Sequence, residues 1–507
     1  MKKKLSNLIF IILFMAILLL PVVCMNTKHN QISRIDNKNL TEWPGFSWKL
    51  QTKDAMESYL NDRIGFREDA IETYIELNDK LFHVMVHPLF MYGQEGHIFF
   101  KDPAYISAYQ RLNTDPEYLD SMVDYLQQTQ DYLNSKDIQF LYFLCPDKKT
   151  IYSEYFPEEI HVQTENESVI EHVESALNRT DVNAIIPTKE LLDAKQEKIV
   201  YNKLYDATHW NGYGAMIGHK LIDEKVQQWF DDVPPLTEED FDLNFEKRDT
   251  LDVAEFPIDE DVPVFTLKND TSGDASYVLN DYLDFENRNF FSHHVNPEAP
   301  NNRTILVFMD SYFAGYTSFY TNRFKEVYFV HRQNYDYLQY LVNLTFPDLV
   351  IFETAERSIT GEMPGASDFT DFYYEEAYPC VHANIGEGNW SSDDAVGYSL
   401  TGTSGVRADG TTLFLNPEGG EGIVRVSGVY TPKDASRQYD IYAHVSDAYL
   451  EADTCALHRL SQEEGLHQFS FSVQRRFLAQ GPIELIAVDH ETGEPYLLDT
   501  FEVIYGQ

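Results

Sequence analysis

Basic residues are scarce in this chain. Its 507 residues hold 39 Lys and Arg against 82 Asp and Glu, a formal net charge of −43. A surface this acidic repels phosphate backbones rather than neutralising them, which argues against nucleic acid as a partner. Cysteine is rarer still, with four in all. Cys24 lies in an apolar leader and Cys145 ends a predicted core strand, so only Cys380 and Cys455 are placed to pair outside a membrane. There is no C-x-x-C and no cluster of histidines, since His293–His294 stands alone in a polar stretch. No metal and no bound cofactor are expected. Solenoid-type repeats are also missing, which excludes stacked-repeat architectures.

What is present fits a large globular chain. Apolar residues make up 43%, enough for real cores, and 507 residues imply more than one domain. Lys2, Lys3 and Lys4 precede 18 uncharged residues, Leu8 to Met25. That pattern is a signal anchor or a signal peptide; with no small-x-small cleavage site after it, an anchor is favoured. The lysines would then be cytoplasmic and the chain beyond about Asn26 outside. Residues 26–47 read as a polar linker.

Residues 48–375 alternate helix and strand signals. Asp54 to Met85 is helical with a break near Gly65, and Met91 to Phe100 reads as a hairpin. Asp115-Pro116 caps a helix whose stripe is Leu119, Met122, Leu126 and Leu133. Buried strands are predicted at Ile138–Leu144, Ile305–Phe308, Val327–Val330 and Leu349–Phe352, with shorter runs at Val182–Ile186 and Ile199–Tyr201. The order implies an α/β fold with a mostly parallel sheet flanked by helices. Asp231 to Asn301, acid-rich with one strand-like run at Val262–Leu267, reads as an excursion. From residue 380 to 507 the texture is that of a β-sandwich: alternating runs at Ile423–Tyr430, Tyr439–Val445, Phe469–Val473, Ile483–Val488 and Phe501–Tyr505.

Two stretches carry chemistry. In R-T-I-L-V-F-M-D-S-Y-F-A-G-Y, Arg303 to Tyr316, a strand runs into Asp310 and Ser311 before a helix expected over Phe313–Phe324. Ligands of open α/β sheets bind at that edge, and amides of a following helix can steady an oxyanion. A serine needs a base. Y-D-A-T-H-W-N-G-Y-G-A, Tyr205 to Ala215, supplies His209, with Asp206 three residues earlier and able to reach back to Nδ1. Read separately, each stretch also fits a helix cap.

Together they resemble the SGNH-hydrolase-like acetyltransferases of the alginate O-acetyltransferase (AlgX/AlgJ-type) family. Further similar pieces follow in order: Y-L-N-D-R-I-G-F-R (Tyr59–Arg67), G-Q-E-G-H-I-F-F (Gly93–Phe100), C-P-D-K-K-T-I-Y (Cys145–Tyr152) and P-D-L-V-I-F-E-T-A-E-R (Pro347–Arg357). The family shows Gly-Asp-Ser where this chain has Met309 before Asp310, and it places the acid two residues before the histidine, where this chain has Ala207. Two acids therefore compete to support His209: Asp206 in its own loop and Asp310 beside Ser311, with Asp206 the better placed.

The resemblance implies O-acetyl transfer to a cell-surface or secreted polysaccharide, with Ser311 as nucleophile, His209 as base and Asp206 orienting it. It also implies a membrane-embedded acyltransferase partner that delivers the acetyl group. A secreted esterase with the same triad, or a glycan-binding protein on a degenerate scaffold, are the rival readings. Lys148, Tyr312 and Arg357, beside the expected site, are candidate ligand-binding residues, although the favoured reading of the two cations is a salt bridge, for Lys148 to a neighbouring acid and for Arg357 to a nearby Glu. High aromatic content, 14%, and the appended β-domain fit a glycan ligand, and the −43 charge disfavours a strongly anionic one.

Overall fold

The computed structural model describes residues 2–33, 39–45, 50–82, 84–252, 254–276, 290–359, 390–391, 395–415, 422–445, 448–452, 467–480 and 482–505. Cys380, Cys455 and the junction expected between residues 375 and 380 lie outside them.

The chain is built on a seven-stranded sheet. In chain order its strands are β3 (Gln139–Cys145), β4 (Ala184–Ile185), β7 (Gly273–Asp274), β8 (Ser292–Val295), β9 (Thr304–Met309), β10 (Glu326–His331) and β11 (Leu349–Ala355). They lie in the order β4-β3-β11-β9-β10-β8-β7. The run from β4 to β10 is parallel and β8 and β7 close one edge antiparallel. Both faces are covered, and the period-2 alternation shows why the apolar runs are continuous. Leu306, Phe308, Tyr328, Val330 and Phe352 pack on one side with Leu119, Leu126 and Leu133 of the helix Pro116–Ser135. Ile305, Val307, Val327, Phe329 and Ile351 pack on the other with Ala215, Ile222 and Val226 of the helix Gly212–Trp229. His293 is a strand residue, stacked on Tyr328 at 4.0 Å, rather than part of a polar loop.

Other expectations change as well. The excursion over residues 231–301 contains a long two-stranded ribbon, β5 (Phe241–Leu251) and β6 (Ala254–Leu267). β5 is exposed along nearly its whole length, so it lacks the alternation that marks a half-buried strand. The helix expected after Ser311 is two separate turns, Ser311–Ala314 and Ser318–Thr321. The described part of the linker is strapped down rather than solvated. The buried Arg63 guanidinium donates to the carbonyls of Asn26, Lys28, Leu40 and Thr41 and pairs with Glu42 at 2.8 Å.

The hairpin expected near residue 95 pairs β1 (Phe90–Tyr92) with β2 (Ile98–Phe100). At the N-terminus, Lys2–Val23 is one helix whose described side chains from Ile9 to Val23 are mostly exposed and apolar. Among the described residues no helix is long and apolar enough to cross a membrane.

The C-terminal strands run from β12 (Val396–Ser404) to β20 (Pro495–Tyr505) and form a three-stranded and a six-stranded sheet around one apolar core. β12 and the short strand Val406–Asp409 precede the first alternating run read from the sequence, Ile423–Tyr430. This sandwich is docked firmly on the α/β unit. Ile423, Tyr442, Tyr449, Ile486 and Val488 join the same apolar cluster as the helix Pro116–Ser135. Lys136 pairs with Glu451 at 2.7 Å, both nearly inaccessible. Gln474 donates to Leu344 O at 2.7 Å, and Arg476 meets Glu326 through a 2.7 Å bond from Nη2.

Removing one member of a buried ion pair leaves the other uncompensated, at a cost of about 3–5 kcal/mol. Lys136→Met should therefore lower the unfolding free energy by that amount in urea melts. The double variant Lys136→Met/Glu451→Leu should recover most of it. A neutral single variant would show that the two units do not depend on this bond.

Candidate functional site

The C-terminal ends of β3, β9, β10 and β11 converge, as a parallel sheet requires, and the loop before the helix Gly212–Trp229 folds over them. That loop, residues 202–209, is pinched at its base by a bridge between Tyr201 and Trp210. Trp210 Nε1 donates to Tyr312 O at 3.2 Å, tying it to the turn after β9. Asn211 caps the helix through Tyr213 N and Gly214 N.

These supports bring the sequence-predicted chemistry together. His209 Nε2 lies 2.8 Å from Ser311 Oγ. His209 Nδ1 lies 2.8 Å from Asp206 Oδ2. The other Asp206 oxygen accepts from Thr208 N at 2.8 Å and His209 N at 2.9 Å, so the carboxylate is fixed in its own loop. Burial raises the Asp206 carboxyl, but the neighbouring His209 and these donors outweigh it and hold it well below the usual carboxylate range. Ser311 is exposed at the mouth of the site. Its amide opens a helical turn, where first-turn N–H groups have no intrahelical acceptor. Ala207, where the resembled family has its acid, is 4% exposed and packed among Ile75, Met85 and Leu251. An apolar pocket is no place for that carboxylate.

Asp310 is turned the other way. It accepts from Tyr312 N at 3.0 Å and Ala355 N at 3.1 Å and pairs with Arg332 at 3.3 Å, binding the end of β9 to that of β11. Burial raises its carboxyl, and Arg332 and Arg357 pull it below the ordinary value. Glu353, whose Oε2 accepts from Asp310 N at 2.7 Å, is pushed well up by burial and by the Asp310 charge. Burial likewise pushes the Cys145 thiol up, which leaves it a poor nucleophile.

The three candidate binding residues fall out differently. Arg357 belongs to the site: Nη2 is 2.9 Å from His209 Nε2, and Nη1 pairs with Asp147 at 2.5 Å, not with a neighbouring Glu. A guanidinium only donates, so Nε2 presents its lone pair to both Arg357 and the Ser311 hydroxyl, and Nδ1 carries the proton toward Asp206. Tyr312 does not face a ligand. It is fully buried, with its hydroxyl on Thr208 O (2.8 Å), Pro146 O (3.0 Å) and Asp147 Oδ1 (3.1 Å). Lys148 is also buried and reaches no ligand surface; its amine faces the carbonyls of Ile98, Lys203 and Asp206.

Sequence reasoning missed the charges beneath the site. Lys149 pairs with Glu356 at 2.6 Å and Asp147 at 3.3 Å. Glu356 Oε2 also accepts from Asp147 N at 2.8 Å. Asp147 in turn holds Arg357. The signal was there, as P-D-K-K and E-T-A-E-R both end buried strands, but their pairing needs the β3–β11 adjacency. Among the described residues no cluster suits a metal.

Burial draws Lys148 from the ordinary lysine value of 10.5 down to about 7, although Asp206 and Glu260 pull it upward. Between about pH 7 and 10.5 the unfolded chain therefore binds more protons than the folded one. Stability from this residue is full above that window and is lost as pH falls through it. The melting temperature of wild type minus that of Lys148→Met should rise from pH 7 to about pH 10. A flat difference would contradict a depressed lysine.

No family model matches the chain, and no curated protein matches it. Among solved structures it is similar to Bacillus cereus PatB1 with a sulfonyl adduct (17% identity, 55% of this chain and 98% of that one, TM-score 0.40). It is also similar to a DHHW family protein from Eubacterium siraeum (14%, 53% and 90%, TM-score 0.36) and to the O-acetyltransferase domain of Pseudomonas putida AlgJ (15%, 56% and 96%, TM-score 0.35).

Proposed function

We propose that this chain is a serine acyltransferase that moves O-acetyl groups onto a cell-surface or secreted polysaccharide. The observation that carries the reading is the unbroken hydrogen-bonded chain from Asp206 through His209 to Ser311 at the carboxyl edge of a parallel sheet. His209 Nε2 takes the proton as Ser311 Oγ attacks the acyl carbonyl, and Asp206 stabilises the imidazolium. The Ser311 amide, and the Arg357 guanidinium once His209 Nε2 takes up the proton, would be the donors to the oxyanion. Collapse expels the donor's leaving group with the His209 proton and leaves acetyl-Ser311. A sugar hydroxyl, deprotonated by the same nitrogen, then attacks the acyl group and restores the serine.

The acetyl group would come from a membrane-embedded acyltransferase, and the work would be extracytoplasmic, with the Lys2–Val23 helix holding the chain at a membrane unless cleaved. The sandwich would add affinity for glycan. The exposure of Ser311 favours one second reading, in which water is the final acceptor and the protein is an esterase.

A fluorophosphonate probe should label Ser311 in wild type and not in Ser311→Ala. His209→Ala and Asp206→Asn should slow labelling and acetyl transfer by about 10⁴-fold without unfolding the chain. Asp310→Asn should mainly lower the melting temperature. Wild type that is not labelled, or Asp206→Asn at near-normal rate, would overturn the assignment. Acetylated product that forms only with a sugar acceptor separates transferase from esterase.

A further inference from the structure

The loop over residues 202–209 carries both Asp206 and His209, yet it has no regular structure of its own. Its backbone must be satisfied by other parts of the molecule. On one side three successive amides, Lys203 N, Leu204 N and Tyr205 N, converge on the single carboxylate of Glu260, at 2.6, 2.8 and 2.6 Å. Consecutive amides turned to one point form a concavity for an anion, and Glu260 of β6 fills it. On the other side the Lys148 amine donates to Lys203 O at 3.1 Å and Asp206 O at 3.3 Å, and anchors on Ile98 O of β2 at 2.8 Å. Lys148 N adds a bond to Thr208 O at 3.2 Å.

The ribbon touches the loop at further points. Asp252, at its tip, donates its amide to Tyr205 O at 3.0 Å and accepts from the Tyr205 hydroxyl at 2.8 Å. The Arg248 guanidinium lies over the Tyr205 ring at 4.9 Å. Farther along, β6 runs so close to the helix after His209 that a Cβ on Gly212 would stand 2.5 Å from Pro263 O. The segment read from the sequence as an excursion is therefore fastened along the loop that presents the base.

We infer that Glu260 and Lys148 are positioning residues for the Asp206–His209 pair: a carboxylate on the amide side and a buried amine on the carbonyl side grip the loop between them. The inference rests on the reading that His209 activates Ser311. Neither residue touches Ser311 or a substrate; both act through the backbone that aims Asp206 Oδ2 at Nδ1 and Nε2 at Oγ. A displacement of about 1 Å in such a constellation costs about 10²-fold in rate. Glu260→Gln keeps the shape but loses the charge, and its amide offers one acceptor oxygen where three amides meet. Glu260→Asp keeps the charge on a shorter stem.

The test reads two quantities on the full chain. One is the rate constant for labelling of Ser311 by a fluorophosphonate. The other is the downfield proton resonance of His209 Nδ1–H held by a carboxylate, assigned by its loss in His209→Ala. Glu260→Gln should slow labelling about 10²-fold and broaden or remove the resonance, with near-ultraviolet circular dichroism unchanged, and Glu260→Asp should lie between it and wild type. Wild-type labelling with an unaltered resonance in Glu260→Gln would overturn the proposal. If Glu260→Gln does not fold, the same two readings on Glu260→Asp decide it, wild-type values again counting against. Should wild type resist the probe altogether, the nucleophile assignment falls, and the resonance alone judges the clamp: lost in Glu260→Gln it stands, retained it fails.

Discussion

Carboxylates buried at the ends of strands have to be matched, and the carboxyl edge of the parallel sheet is arranged around that constraint. Asp147, Asp310, Glu353 and Glu356 all lie out of water there. An unpaired charge in such a place costs several kcal/mol. Lys149, Arg332 and Arg357 answer three of them, and Glu353 is left as the group that burial drives toward its neutral form. The arrangement ties the ends of four strands, β3, β9, β10 and β11, to one another beneath Ser311. Arg357 is where this lattice reaches the chemistry, since its two nitrogens join Asp147 below to His209 Nε2 above.

Much of this was legible in the sequence, and the reasons are physical. Ile305 to Phe308 announced a strand covered on both faces because every side chain in it is apolar, and the two halves of the sheet's packing bear that out residue by residue. Ser311 and His209 could be singled out because each sits at a junction with strong local signals, an apolar run ending in a cap in one case and a D-x-x-H before a glycine-led helix in the other. Asp206 is preferred to Asp310 because it shares a loop with His209, and the structure turns Asp310 toward Tyr312 N and Ala355 N.

What escaped were relations between distant positions. Lys148 and Lys149 are neighbours with the same local context, yet one turn of backbone sends Lys149 to Glu356 and Lys148 to the loop carbonyls. Glu260 lies in an acid-rich stretch that reads as solvated, and the amides it holds are 55 to 57 residues away. In β5 the alternation of Phe241, Leu243 and Phe245 with polar neighbours stops at Lys247, and nearly the whole strand is exposed. Strand prediction depends on burial asymmetry, and this strand shows little.

The same ribbon carries a consequence for the protein among its own copies. A two-stranded sheet offers two open edges, each a row of unpaired amides and carbonyls on which another chain's strand can nucleate. Here Pro257 and Pro263 offer no N–H along β6, and the acids Glu246, Asp249, Asp259 and Asp261 outnumber Lys247 and Arg248, which pair with Asp259 and Glu246. Two molecules meeting edge to edge would press these carboxylates together. In a chain of net charge −43 the repulsion extends over the whole approach. Acidity that first reads as solubility thus also guards the strands that hold the histidine loop, keeping a long exposed ribbon from becoming a template for aggregation.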